Sequence, residues 1–115
     1  MAGRLSEINI KADLPTSNDA IRRLTYHLRT AKTLGFSALK VVHGYGSTGK
    51  GGKIRVAARR YLGEQKQKGL IRDFIIGEDF SIFDEATRRA FEHCPDLRRD
   101  SDLERHNNGI TVVIL

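Results

Sequence analysis

The last six residues, Ile110-Thr111-Val112-Val113-Ile114-Leu115, form a near-continuous apolar run rich in β-branched side chains. A strand with one wet face alternates apolar and polar residues, whereas an unbroken run is the mark of a strand buried on both faces. Such a strand cannot stand alone, so the rest of the chain must cover it. Asn107-Asn108-Gly109 is turn chemistry and places the start of this strand immediately after it.

The remaining sequence supplies the cover. Leu5 to Ile10 reads as a short first strand, and Pro15 breaks the chain after it. Thr16 or Ser17 can cap a helix whose apolar stripe is Ala20, Leu24, Leu28 and Ala31, ended by Gly35. "FSALKVV" is a second strand that runs into a glycine-rich loop. Ile54, Ala57, Ala58, Tyr61 and Leu62 recur at helical spacing, which predicts an amphipathic helix from Lys53 to about Gln65. Arg55 and Arg59, off that stripe and four apart, are expected side by side in solvent. After Gly69, "LIRDFII" suits a third strand, and a third helix with Ser81 as cap and Phe83, Ala86, Ala90 and Phe91 as its apolar side should stop before Pro95. Residues 96–108 are mostly charged, with Leu97 and Leu103 alone apolar, and read as a mobile loop.

The order β-α-β-α-β-α-β predicts a small α/β fold, a two-layer sandwich on a four-stranded mixed sheet. Right-handed crossovers then bring the carboxyl ends of the first two strands to one edge, where open α/β sheets bind ligands. Asn9 to Ala12, the loop after Val42 and the amino end of the second helix should meet there.

At 115 residues the chain is one domain, and a two-domain reading is excluded. No apolar run approaches the roughly 20 residues of a membrane helix, and the first residues lack a signal-peptide core, so no membrane partner and a cytoplasmic location are expected. A single cysteine, Cys94, makes neither an internal disulfide nor a thiol metal site, and is expected to be a partly buried helix residue. The net charge of +6 is concentrated: from Lys50 to Arg72 eight cations are opposed only by Glu64. That is the footprint of a surface that gathers polyanions, or else simply a solvated helix face.

The loop between the second strand and second helix, "HGYGSTGKGGKIR", admits three readings. A dinucleotide fingerprint wants its glycines after the first strand and an acid at the end of the next one, but Glu64 falls in a helix and Glu78 and Asp79 come too late. A P-loop needs a hydroxyl for magnesium where Gly51 stands, so no nucleotide cofactor is expected. The third reading starts from His43-Gly44-x-Gly46 and continues through Gly52-Lys53-Ile54-Arg55, a basic helix, and Gly109-x-Thr111 in the final strand. This combination, in this order, resembles the Smr (small MutS-related) domain, and it spans residues 1–115 as a single domain, with the helix and charged loop at 81–108 as an insertion.

The resemblance implies nucleic-acid binding, to DNA or RNA, on a fold like the carboxyl-terminal domain of translation initiation factor 3. In several members it also implies endonuclease activity. The residues agree with a phosphate-binding edge: Gly44 and Gly46 allow close backbone approach, and Lys11, Lys50, Lys53, Arg55 and Arg59 supply charge. Tyr45 can stack on one base or pack the loop. His43 is the candidate for acid/base catalysis near neutral pH, with a structural histidine bonding the loop backbone as the alternative. His27, His93 and His106 have no ligand spacing among them and read as surface or packing residues.

The departure lies at the first strand. Where Smr domains of the cleaving kind carry Leu-Asp-x-His-Gly, this chain has Asn9, Lys11 and Ala12, with Asp13 a possible substitute carboxylate. Weak or degenerate phosphodiester hydrolysis, with magnesium or manganese, therefore competes with non-catalytic binding to RNA, a ribosome or an acidic protein.

Overall fold

The computed structural model describes residues 4–45 and 50–115, without the side chains of residues 50 and 51. Its elements run β1 (Leu5–Asn9), α1 (Ser17–Thr33), β2 (Ala38–Val42), α2 (Lys50–Gln67), β3 (Asp73–Ile76), α3 (Glu85–His93) and β4 (Ile110–Ile114), with short 3-10 turns at Gly77–Asp79 and Pro95–Arg99. The sheet order is β1-β2-β4-β3; β1 and β2 are parallel, and β4 runs antiparallel to both β2 and β3. The expected α/β class, element order and four-stranded mixed sheet are all present.

Every residue of β4 is buried, as its unbroken apolar sequence requires. The strand pleat sends alternate side chains to opposite faces. Leu39, Val41 and Val113 pack on one side with Leu24 and Leu28 of α1 and Ile54, Ala58 and Leu62 of α2. Ala38, Val112 and Ile114 pack on the other with Ala90 and Phe91 of α3 and with Leu97. The two-layer arrangement of α1 and α2 on the sheet thus gains a third layer over the second face, which a doubly buried β4 demands. Each large side chain taken fully out of water contributes about 1.5–3 kcal/mol.

Local signals explain the element ends. The Thr16 hydroxyl accepts from Asp19 N–H at 3.1 Å and caps α1. Gly35 takes φ +81° just past that helix, a conformation that favours glycine. α2 begins at Lys50, three residues before the expected start, and takes in Gly51 and Gly52. Glycines weaken a helix interior, but first-turn N–H groups have no intrahelical partner in any case, and the burial of Ile54, Ala58 and Leu62 holds the helix. β3 is shorter than "LIRDFII" because it pairs only with β4, from Asp73 opposite Ile114 to Ile76 opposite Thr111.

Three sequence expectations are corrected on the second face. Asp84, not Ser81, caps α3, its carboxylate accepting from Thr87 N–H at 2.9 Å. Phe83 is 83% exposed rather than part of the apolar side. Residues 96–108 form a 3-10 turn and hydrogen-bonded turns rather than a mobile loop. Leu97 is fully buried, and Lys40, inward-facing on the central strand β2 and 4% exposed, needs counter-charges that this stretch provides. Lys40 Nζ lies 3.0 Å from Asp100, contacts Asp102, and stands 3.7 Å from Glu7. Burial alone would push the lysine down; hydrogen bonds and charge from Asp102 and Asp100 outweigh it and raise its pKa. Cys94 is buried at the end of α3.

Candidate functional site

β1 and β2 end side by side, Ile10 N–H bonding Val42 carbonyl at 3.0 Å, so the residues after both strands share one edge of the sheet. Lys11 leaves β1 there with its N–H bonded to Asn9 Oδ1 at 2.9 Å. Its aliphatic stem crosses Gly44: a Cβ at Gly44 would come 2.9 Å from Lys11 Cδ, and the φ of +77° favours glycine independently. On its other side the loop packs on the turn before β4. His43 and Gly44 N–H groups both bond Gly109 carbonyl at 3.0 Å, and a Cβ on Gly109 would meet the Tyr45 ring at 3.1 Å. Tyr45 itself is 57% exposed.

His43 is wholly buried beneath this loop, on the α2 side of the sheet where the alternation of Leu39 and Val41 places it. Its Nδ1 lies 2.7 Å from Gly44 carbonyl and its Nε2 lies 2.9 Å from Thr111 Oγ1. A carbonyl only accepts, so Nδ1 carries the proton and Nε2 accepts from the Thr111 hydroxyl. That hydroxyl in turn accepts from Arg59 Nε at 3.1 Å. In the neutral ring this fixes a single tautomer, with both nitrogens engaged. Burial, opposed by the Gly44 carbonyl bond and reinforced by the charges of Arg59 and Arg55, lowers its pKa from 6.5 to about 4.

Arg59 is the hinge of the arrangement. Its guanidinium grips Glu78 bidentately, at 3.0 and 2.7 Å, and also bonds Ile110 carbonyl at 3.2 Å. Its side chain is only 19% exposed, so the expectation that it stands in solvent beside Arg55 is corrected. The reason is tertiary: Thr111 and Glu78, distant in sequence, offer acceptors on the side of the sheet that α2 covers. The Arg59 hydrogen bond holds the Glu78 carboxyl below its usual range. Glu78 is delivered by Gly77, where any Cβ would sit 1.8 Å from Asn107 carbonyl oxygen. Reading along the chain missed Glu78 as a site residue; its one signal was an acid immediately after an apolar strand.

The structure brings Lys11, Gly44, Tyr45, His43 and Arg55 to this edge, with Lys53 beside the Leu14–Ser17 stretch that follows Lys11. No acidic residue lies in the first turn of α2. Gly46 and the side chain of Lys50 lie outside the described residues. Asp13 is exposed at φ +63°, and among the described residues no three His, Cys, Asp or Glu side chains cluster in a way that could hold a metal ion. His106 reaches Glu78 carbonyl at 3.0 Å, and His27 packs edge-on to Tyr26.

A four-stranded mixed sheet with a glycine-turned, cation-bordered loop at its edge places the chain in a recognisable structural class. It is similar to the Smr domain of MutS2 from Thermus thermophilus, with a TM-score of 0.58 and 23% identity over 96% of each chain. The chain has the fold of an Smr domain. No family model matches the sequence. No curated protein matches it either. Among the described residues no helix is long and apolar enough to cross a membrane.

Proposed function

We propose that this chain is an Smr-type nucleic-acid-binding domain that holds DNA or RNA by its phosphates and does not cleave it. The observation that carries the reading is the convergence on one glycine turn of cations that form no ion pair among the described residues: the Lys11 stem lies across Gly44, while Lys53 and Arg55 come from the start of α2 with no acid in its first turn. Main-chain N–H groups at a helix start and lysines on flexible stems suit a phosphate backbone, which carries no sequence information. Lys50, Gly46 and Tyr45 belong to the same proposed surface, Tyr45 offering an exposed ring to a base. Arg59 supports the surface from beneath rather than touching phosphate, because Glu78 and Thr111 already use its donors.

Binding without cleavage follows from His43. A general base must present a free nitrogen to its substrate, and both of its ring nitrogens are bonded inside the protein. Asn9 commits its amide oxygen to Lys11 N–H, and neither Asn9 nor Lys11 supplies a carboxylate or imidazole for proton transfer. The tests are a salt titration of affinity and a cleavage assay on plasmid and structured RNA with magnesium or manganese. Neutralising about three or four phosphates gives a log–log salt slope of roughly 3 to 4 on duplex DNA. Metal-dependent cleavage abolished by His43→Ala would return the histidine to catalysis.

A further inference from the structure

Among the exposed apolar features of the described residues, two match in chemistry. The first is a knob, Ile82 and Phe83, 47% and 83% exposed at the turn before α3. Its backbone is held on every side. Glu104 accepts from Ser81 Oγ at 2.8 Å and from Ile82 N–H at 2.6 Å, Ser81 Oγ accepts from Phe83 N–H at 3.1 Å, and Arg88 bonds Ile82 carbonyl at 2.9 Å. An aromatic side chain on a turn this constrained loses little freedom on docking, which is the economical way to build a binding anchor. Asp79, Asp84, Glu85 and Glu104 lie around it in sequence or by contact against the cations Arg88, on the Ile82 carbonyl, and Arg89, paired with Glu85, which leaves acids in excess at its rim.

The second is a groove between the start of α1 and α2. Its larger part, about 510 Å³, is lined by Lys53, Val56, Ala57 and Arg60; an adjoining space of about 280 Å³ reaches Leu14 and Pro15. Val56 is 57% and Leu14 46% exposed, and Lys53 and Arg60 form no ion pair among the described residues. The groove is thus apolar with a basic rim, the complement of the knob. The two lie on opposite faces of the sheet, the groove on α2 and the knob before α3, so one chain cannot fill its own groove.

We propose that this chain associates head to tail with a second copy of itself, Phe83 of one seating beside Val56 of the next. Such an interface is heterologous and repeats until it closes into a ring or extends. Lys53 is shared with the nucleic-acid reading, but the association is measured on protein free of nucleic acid and stands or falls without it.

Sedimentation of wild-type protein from about 10 µM to about 1 mM, the range of small transient interfaces, should give a mass that rises with concentration beyond the dimer and falls with added salt. Phe83→Ser removes the knob and Val56→Glu spoils the groove; each should weaken association by at least about tenfold. Both sites are exposed, and an unchanged melting point verifies the fold, with Ile82→Ser as a second knob variant. An equimolar mixture of Phe83→Ser and Val56→Glu retains one intact knob and one intact groove and should form a dimer and nothing larger. A wild type that stays monomeric throughout, association that persists in either variant, or a mixture that stays monomeric overturns the proposal.

Discussion

The central strand β2 and the residue that leaves it each bury a polar side chain, Lys40 and His43, and the two sites solve the problem differently. Lys40 on β2 faces α3 and is neutralised by Asp100 and Asp102, full charge against full charge. His43, three residues on, faces α2 and is kept neutral by burial, and a chain of hydrogen bonds through Thr111 and Arg59 runs from it to the partly exposed Glu78. The first cluster is closed and ties down a long segment. The second opens onto the cationic edge and shapes a loop. A buried charge demands a partner and so orders whatever supplies it, whereas a buried neutral ring needs only donors and acceptors.

The largest effect should come from the closed cluster. Lys40→Met leaves Asp100, whose side chain is 8% exposed, without its counter-charge, and should cost about 3–5 kcal/mol in urea unfolding. A loss under about 1 kcal/mol would show that the Asp100–Asp102 stretch holds its place without the lysine.

The neutral cluster should respond to pH instead. The folded pKa of His43 is about 4 against 6.5, so the unfolded chain binds the extra proton between those values. Its contribution is fully present above 6.5 and is lost as pH falls toward 4, about 3 kcal/mol in all. Denaturation at stepped pH in wild type and His43→Gln measures it; equal slopes in the two proteins between pH 4 and 6.5 would contradict a buried neutral imidazole. Glu78 from about pH 4.5 downward and Asp102 from about 3.8 downward, both lowered, add loss in the same direction as they protonate.

Thr111→Val is a smaller probe of the same chain. It keeps the β-branched shape but deprives His43 Nε2 of its donor and Arg59 Nε of an acceptor, and should cost about 1–3 kcal/mol. Thermal melts of Thr111→Val and His43→Gln, singly and together, show whether the two residues act as one unit, in which case their effects fall short of additivity. The smallest effect is on binding. Lys53→Ala, at an exposed edge position, should reduce the salt slope of nucleic-acid affinity by about one and leave the unfolding free energy within about 0.5 kcal/mol of wild type. An unchanged slope would move the phosphate path away from the start of α2.

Periodicity along the chain determined much of this protein. The unbroken β4 run, the stripe of Ala20, Leu24 and Leu28, and the stripe of Ile54, Ala58 and Leu62 each state which side is buried, because burial repeats with the geometry of a single element. His43-Gly44 after an apolar strand, with a basic helix following, likewise pointed to the edge proposed for phosphate binding. What only the tertiary structure decided is the fate of polar residues. Whether Arg59 stands in solvent or grips Glu78, whether His43 offers a nitrogen or has both engaged, and whether residues 96–108 wander or are held by Lys40 all depend on groups between 19 and 68 residues apart in sequence. An apolar side chain needs only to leave water, and any neighbour will serve; a polar one needs a particular atom at hydrogen-bond distance, which only the folded chain supplies.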